Sequence, residues 1–387
     1  MRDAVLRVAG DPYALGLAHG RALAAWVRDY AEERVRLACS PMWSGRESTR
    51  AEVMALARAC LSVHEETYPD LAEELRGIAD GAGLSPAELV VSGGFTDFVD
   101  AVAAGALGEG PHGAGAASDG AAAAGAPGGG EARPAGGDED DCTAFLVPAA
   151  RMADGAPAFA QTWDMHEGSA DHLVLLEGRP RGAPAFVVMT TAGCVGMIGM
   201  NEAGLTVGIN NLTAADGRVG VTWPFVVRAM LREETLEAAL EVLARAPLCG
   251  GHNYLVMDAA GRGANVEAMP TARAVTALAE AVLVHTNHCL EAATRAVERP
   301  REPASQAESE GRLRRARELL ARDGMDVAYL QAVTADPEAV CRVGAAPSFV
   351  GTCGAVVARP ATRELWAVAG RPSEAPYERF DLAVSAS

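Results

Sequence analysis

The chain has 387 residues, of which 49% are hydrophobic and 22% charged, so it is long and apolar enough for one large α/β domain or for two domains. Its formal net charge of −18 argues against nucleic-acid binding, because phosphate contacts need clustered cationic side chains. The sequence contains no lysine, which excludes Schiff-base and pyridoxal phosphate chemistry, a phosphate-loop lysine and a Ser–Lys dyad.

Helical patterns fill the N-terminal part of the chain. Apolar residues recur at i, i+3 and i+4 through residues 12–39, and further helices are predicted over about 50–66, from Tyr68 to Gly81, and after a cap at Ser85. We therefore expect residues 1–102 to form a helical segment. The first sixteen residues lack the apolar core of a signal peptide, and no apolar run of about 18 residues occurs.

Residues 103–140 consist almost entirely of Ala, Gly, Pro and acidic residues. Such a composition cannot bury enough apolar surface to offset the entropy of ordering, so we predict a disordered linker over 103–141. The run contains Gly108-x-Gly110-x-x-Gly113, which matches a dinucleotide fingerprint, but no strand precedes it and Pro111 interrupts it. We expect no cofactor.

The pattern changes to strands at residue 142, and residues 142–387 are predicted to form the catalytic part of the chain. Grouped helices interrupt the strands instead of alternating with them, which favours an α+β protein of layered sheets. Helices are predicted at 222–232, 234–245 and 309–333. Strands are predicted at 143–147, 158–163, 172–177, 185–191, 205–211, 253–258, 263–268, 281–287, 354–358 and 364–369.

Cys142 stands where the low-complexity run ends and the first of these strands begins. One interpretation is a small buried hydrophobe at a strand start. The other is an N-terminal nucleophile, for which the Asp141–Cys142 peptide bond must be cut. Cutting frees an α-amine whose pKa of roughly 7.7–8.0 suits a general base, so one residue supplies both nucleophile and base.

Candidate partners follow one hairpin's length after Cys142. Asp164 could accept a hydrogen bond from the protonated α-amine and orient it, and Gln161 could contact either substrate or backbone. The alternative is ordinary turn chemistry at Thr162 and Asp164, with Trp163 in the core.

Asparagines mark the ends of two further predicted strands. Asn210 and Asn211 close a strand that follows a hairpin turn at 201–204, and an amide donor at a strand end suits an oxyanion hole. A turn-capping pair is the alternative. Asn253 begins another strand, and Asn287 is predicted to make a second set of substrate or oxyanion contacts.

Three histidines near these strands, His252, His285 and His288, could form a metal site. Their spacing does not suit a strand and no carboxylate cluster accompanies them, so we expect no metal. The eight cysteines show no C-x₂-C pair, and we expect free thiols in a cytoplasmic protein. Arg312 lies in a helix that we predict to begin at Ser309, and it either faces the site or is solvated.

Taken in order, these segments resemble the acyl-coenzyme A:6-aminopenicillanic acid acyltransferase family of Ntn (N-terminal nucleophile) hydrolases. No single motif carries the resemblance; their order and spacing together do. The matching segments are "GDPYALGLAHGRAL", "DDCTAF", "AQTWDMH", "GMNEAGLTVGINNL", "WPFVVRAMLREETLEAALEVLARAP", "NYLVMDAAGRGANVEA", "HTNHCL", the S-x-x-R at 309–312 and "LWAVAGRP".

The resemblance implies a four-layer αββα sandwich of antiparallel sheets with an N-terminal helical segment. It also implies self-cleavage before Cys142, after which the α chain, residues 1–141, and the β chain, residues 142–387, stay associated. Gln161 and Asp164 take the first and last positions of the related R/Q-N-x-D segment, in which Thr162 replaces the usual Asn. Asn210 matches the oxyanion-hole Asn of the wider group, and Asn287 matches its second amide.

The expected catalytic residues are therefore Cys142, Asp164, Asn210 and Asn287, with Asp141 and Cys142 flanking the cleavage site. The expected activity is hydrolysis of a small-molecule acyl amide or thioester through acyl-Cys142, without nucleic acid or membrane as a partner. Transfer of the acyl group to an amine and an uncleaved, inactive scaffold are the two alternatives. The residues expected to bind substrate are Gln161, Trp163, Asn211, Asn253, His288 and Arg312.

Overall fold

A computed structural model describes residues 5–107, 141–346 and 348–382. Most of the linker predicted over 103–141 therefore lies outside the described residues. The helices are α1 Pro12–Ala22, α2 Ala24–Ala38, α3 Pro41–Ser44, α4 Arg50–Thr67, α5 Pro69–Ala82, α6 Pro86–Gly93, α7 Phe95–Ala103, α8 Trp223–Met230, α9 Leu236–Arg245, α10 Ala292–Arg295, α11 Pro303–Leu319 and α12 Val327–Thr334.

The strands in these ranges form two sheets, one of eight strands in the order β1-β4-β5-β6-β7-β8-β9-β10 and one of six in the order β11-β2-β3-β12-β13-β14. All pairs are antiparallel except β1 with β4. The strands are β1 Val5–Gly10, β2 Cys142–Val147, β3 Ala158–His166, β4 Leu173–Pro180, β5 Phe186–Thr191, β6 Ile198–Asn201, β7 Thr206–Leu212, β8 Gly251–Met257, β9 Gly263–Ala268, β10 Arg273–Ala277, β11 Leu283–His285, β12 Val350–Arg359, β13 Glu364–Ala369 and β14 Glu378–Asp381.

The faces of hairpin β2–β3 show how the layers stack. One face carries Ala144, Leu146 and Phe159, which pack into the core between the two sheets. The opposite face carries Phe145 and Ala160, which pack with α11 and α12 in a second core. Because the N-terminal helices and α8 cover the other sheet, the predicted four-layer αββα fold is confirmed.

The N-terminal helices begin where the sequence supplies caps. The Asp11 side chain accepts a hydrogen bond from the Ala14 N–H at 2.9 Å, and Pro12 begins the helix. Thr49 and Ser85 each form a capping box with a glutamate three residues later. Helices α1 and α5 approach so closely that a Cβ at Gly16 would lie 1.9 Å from the carbonyl oxygen of Glu74.

Three segments differ from the sequence-based expectations. Residues 5–10 form strand β1, not helix, because its parallel pairing with β4 overrides the helical context that follows. Helix α11 begins at Pro303, and Ser309 is a buried residue inside it, not its cap. The helix predicted over 309–333 is two helices, because Gly324 takes a positive φ of 68° between them.

Within the described ranges, no helix is both long and apolar enough to cross a membrane.

Candidate active site

Cys142 is the first residue of β2, and it is fully buried on the face between the two sheets. The groups of the preceding peptide bond are hydrogen-bonded on both sides. The Cys142 N–H donates to Asn287 Oδ1 at 2.8 Å, and the Asp141 carbonyl accepts from the backbone N–H of Asp164 at 2.8 Å. The bond that the sequence predicts to be cut is therefore fixed in position by residues of two neighbouring segments.

Asp164 lies on β3, close to this bond. Its Oδ1 accepts a hydrogen bond from Thr352 Oγ1 at 2.7 Å, whereas Oδ2 has no hydrogen-bond partner among the described residues. Burial raises the pKa of Asp164 to about 6, although the nearby Arg312 and Arg342 lower it. The Oδ2 oxygen can accept a hydrogen bond from the α-amine that cleavage before Cys142 would free.

Asn210 lies on β7, in the sheet that faces Cys142. A Cβ built at Gly208 would meet the side chains of Gln161 and Phe159, so residues 208 and 210 face the six-stranded sheet. The Asn210 Oδ1 accepts from Asn253 Nδ2 at 3.1 Å, while its buried Nδ2 has no partner among the described residues. A fixed amide with an unused donor is what an oxyanion site requires.

Asn287 and Arg312 contact the backbone of Cys142 directly. Asn287 Oδ1 accepts from the Cys142 N–H and also from Arg312 Nη2 at 3.1 Å, and Asn287 Nδ2 donates to the Asn211 carbonyl at 3.1 Å. Arg312 Nη1 donates to the Cys142 carbonyl at 2.7 Å. Arg312 is therefore buried at the site and not solvated, and Asn287 presents an acceptor to the Cys142 nitrogen.

Three more of the predicted substrate-binding residues are hydrogen-bonded within the protein. Gln161 is fully buried, and both its amide oxygen and its amide nitrogen hydrogen-bond the backbone of Ile209. His288 hydrogen-bonds Ser309 Oγ at 2.7 Å, and burial lowers its pKa to about 4. Asn253 donates to Asn265 Oδ1 at 2.7 Å as well as to Asn210, which makes it a support for Asn210.

Trp163 lies directly opposite Cys142 in the β2–β3 register and lines a narrow cavity. Its indole Nε1 is buried and has no hydrogen-bond partner among the described residues. The cavity is mostly aromatic and sulfur-containing, and its other lining residues are Tyr30, Ser92, Gly93, Phe95, Thr96, Met165, Thr191, Met197 and Trp223.

Sequence analysis missed two of the three arginines that surround the Asp141 side chain. Its carboxylate is fully buried and contacts Arg301, Arg312 and Arg342. Arg301 lies in the segment before α11 and Arg342 in the segment after α12. No local pattern marks either position: Arg301 is one of several arginines in its segment, Arg342 stands alone in its own, and both reach the site only through the fold. Thr352, the partner of Asp164, was missed for the same reason.

The three histidines do not form a metal site. His285 Nε2 is 2.9 Å from Glu267 Oε1, and His252 Nε2 is 3.2 Å from Thr96 Oγ1. Among the residues the structure describes, no group of three His, Cys, Asp or Glu side chains is arranged to hold a metal ion.

The chain is similar to several proteins of known sequence or structure. The acyl-coenzyme A:6-aminopenicillanic-acid-acyltransferase 40 kDa form of Emericella nidulans is 25% identical over 283 residues, which are 73% of this chain and 68% of that protein. The crystal structure of a mutant conjugated bile acid hydrolase from Clostridium perfringens is 13% identical, with a TM-score of 0.44 over 62% of this chain and 92% of that one. Penicillin V acylase from Agrobacterium tumefaciens is also 13% identical, with a TM-score of 0.35 over 59% and 83%.

A match to a family model assigns the chain to one family. The model of the acyl-coenzyme A:6-aminopenicillanic acid acyl-transferase family matches residues 151–374, which is more than half of the sequence. The matched range covers Asp164, Asn210, Asn287 and Arg312 and begins shortly after Cys142. The chain therefore belongs to the acyl-coenzyme A:6-aminopenicillanic acid acyl-transferase family and is an enzyme.

Proposed function

We propose that the protein cleaves itself between Asp141 and Cys142 and then acts as a cysteine amidohydrolase on an N-acyl amide or a related thioester. The observation that carries the proposal is the pair of hydrogen bonds at this peptide bond, from the Cys142 nitrogen to Asn287 and from Asp164 to the Asp141 carbonyl. They hold both the carbonyl oxygen and the nitrogen of this peptide bond, next to the thiol of Cys142.

In the cleavage step, Cys142 Sγ attacks the Asp141 carbonyl carbon. A carbon–sulfur bond forms, the peptide C–N bond breaks, and the thiol proton passes to the Cys142 nitrogen. The Asp164 N–H donates to the carbonyl oxygen on which negative charge develops. Water then hydrolyses the thioester, which releases the Asp141 carboxylate and restores the thiol.

In turnover, the thiol and the new α-amine of Cys142 act together. Sγ attacks the substrate carbonyl while the α-amine takes the thiol proton and passes it to the leaving amine. Asn287 Oδ1 and the free Oδ2 of Asp164 orient the amine, and Asn210 Nδ2 donates to the tetrahedral oxyanion. Water releases the acyl group from acyl-Cys142.

Transfer to an amine is the second candidate function, favoured by the family and by the acyltransferase relative. The same acyl-Cys142 intermediate serves both reactions, and only its acceptor differs. Incubation with an acyl-coenzyme A thioester and a panel of amines separates them, since transfer yields a new amide whereas hydrolysis yields free acid alone.

Intact-mass measurement and N-terminal sequencing of the purified protein test the proposal. We expect two chains, one starting at Cys142, and an acyl group on that chain after a rapid quench with substrate. Cys142→Ala should remain one chain and inactive, whereas Cys194→Ala, which removes another buried thiol, should be cleaved normally. An uncleaved wild-type chain that turns over amides would contradict the proposal, and an uncleaved inactive one would favour the scaffold.

A further inference from the structure

Asp141 occupies a binding site made of arginines. Its Oδ1 is 2.8 Å from Arg312 Nη2 and 3.1 Å from Arg301 Nη2, and Arg342 contacts Oδ2. We refer to Arg301, Arg312 and Arg342 as the arginine cluster. The Arg301 and Arg312 side chains are only 3% and 2% exposed, and that of Arg342 is 15% exposed.

The arginine cluster carries more charge than Asp141 neutralises. Besides Asp141, Arg342 pairs with Glu308, whose side chain is 50% exposed. The buried Nε and Nη1 of Arg301 have no hydrogen-bond partner among the described residues. Burial alone raises the pKa of Asp141, but the three arginines outweigh burial and hold the pKa below its usual value. Buried cations require an anion, so the cluster needs a carboxylate or a similar group at this position.

The position of the Asp141 carboxylate relative to Cys142 indicates which kind of acyl group on Cys142 would reach the arginine cluster. If the chain is cleaved as proposed above, the intermediate is a thioester between Cys142 Sγ and the carbonyl carbon of Asp141. That species is itself an acyl-enzyme. Its acyl group carries a carboxylate separated from the carbonyl carbon by two carbons, Cα and Cβ, as in an aspartyl or succinyl group.

We propose that, once Asp141 has left, the arginine cluster binds the distal carboxylate of a dicarboxylic acyl group, so that the enzyme acts on N-succinyl or N-aspartyl amides or the matching thioesters. This inference rests on the proposed cleavage and extends it to the substrate. The steps balance as before: Sγ bonds to the acyl carbon, the amine leaves with the proton, and water releases the dicarboxylic acid.

Binding of succinate can be compared, without catalysis, between a variant in which Asp141 fills the arginine cluster and a variant that lacks the Asp141 carboxylate. In Cys142→Ala the chain stays uncleaved and Asp141 fills the site, so succinate should not bind. In the double variant Cys142→Ala/Asp141→Ala the arginine cluster lacks this carboxylate. Succinate at about 10 mM should then raise the melting temperature of the variant clearly more than butyrate at equal ionic strength. Butyrate is the matched control, since it has the same chain length but lacks the second carboxylate.

A triple variant identifies the site that succinate occupies. Adding Arg301→Met to the double variant should abolish the difference between succinate and butyrate. If succinate and butyrate stabilise the double variant equally, or if succinate stabilises Cys142→Ala just as much, the inference is wrong.

Turnover gives a second measurement on the cleaved wild-type enzyme. The N-succinyl p-nitroanilide should exceed the N-butyryl p-nitroanilide in kcat/KM by about 10–100-fold, as expected for one hydrogen-bonded charge pair. If the two p-nitroanilides have equal kcat/KM and acyl-Cys142 can still be trapped, the substrate assignment is wrong and the proposed function stands. An uncleaved chain that forms no acyl-enzyme would overturn the proposed function, and the succinate response of the double variant would still decide whether the cluster binds a dicarboxylic anion.

Discussion

Asn253 holds Asn210 by a single hydrogen bond, 3.1 Å from Asn253 Nδ2 to Asn210 Oδ1, and this bond determines which atom of Asn210 is left to donate. With the oxygen occupied, the buried NH₂ group of Asn210 is left without a hydrogen-bond partner among the described residues. The two side chains lie opposite each other in the β7–β8 register, so the sheet itself sets their separation.

Asn210→Asp keeps the acceptor for Asn253 but removes the donor. We expect kcat to fall by about 10²–10³-fold, the loss typical of one oxyanion donor, with little change in KM. Steady-state kinetics on the cleaved variant measures this. Asn265→Ala, which removes only the outer support of Asn253, should lose less than about tenfold in kcat; an equal loss in both variants would point to general damage instead.

Asn287 should govern the rate of self-cleavage, because its Oδ1 accepts from the Cys142 N–H. Asn287→Leu removes this acceptor, and we expect cleavage to slow by about 10²-fold, a common cost of misplacing reacting groups. Asn287→Asp keeps an acceptor oxygen and should be cleaved faster than Asn287→Leu. A time course of the intact mass after synthesis measures both rates, and equal rates would show that the contact is not used.

The raised pKa of Asp164, about 6 against an ordinary value near 3.8, links stability to pH. The folded chain binds this proton more tightly than the unfolded chain, so stability falls as pH rises from about 4 to about 6 and is then constant. In the uncleaved Cys142→Ala background, Asp164→Asn should therefore be more stable at pH 7 by about 1–3 kcal/mol. The gain should shrink towards pH 4.

Urea unfolding at several pH values measures this difference. Thr352→Val provides a check, because Thr352 donates to Asp164 Oδ1 and so lowers its pKa. Removing the donor should raise the pKa of Asp164, so that stability keeps falling to a higher pH before it becomes constant. A free-energy difference between Asp164→Asn and its parent that does not change with pH would mean that this carboxyl is not the titrating group.

A buried ion pair joins the N-terminal helices to the rest of the molecule. Arg228 Nη2 on α8 lies 3.1 Å from Glu74 Oε2 on α5, with the side chains 1% and 2% exposed. Arg228→Met strands a buried carboxylate and should cost about 3–5 kcal/mol of unfolding free energy. The double variant Arg228→Met/Glu74→Gln should recover much of it. Chemical denaturation measures both, and a loss below about 1 kcal/mol in Arg228→Met would show that the pair is solvated.

Local signals in the sequence predicted the elements more fully than the site. The cap at Ser85 and the strand-like runs at 143–147 and 158–163 are short-range patterns, and the structure has a helix and two strands there. Strand β1 was missed because its partner β4 lies far along the chain. Pairing between distant segments leaves no periodicity in the strand itself.

Within the site, the sequence predicted which residues lie there better than it predicted what each of them does. Asn210 was expected to donate to an oxyanion and Asn287 to make substrate or oxyanion contacts. The structure turns the oxygen of Asn287 towards the Cys142 N–H and leaves the NH₂ group of Asn210 without a partner among the described residues. An amide can face either way, and only its neighbours decide which end it presents. Arg301 and Arg342 could not be distinguished from other arginines, because tertiary packing alone buries them.

The parallel pairing of β1 with β4 has a consequence for anyone who makes the β chain alone. Residues 5–10 cover one side of Leu173–Pro180, and a polypeptide that starts at Cys142 lacks them. Its largest sheet would then end in an open row of backbone donors and acceptors flanked by leucine and valine side chains, a template for joining molecules edge to edge. We expect such a fragment to aggregate on expression, and co-expression with residues 1–107 to keep it in solution.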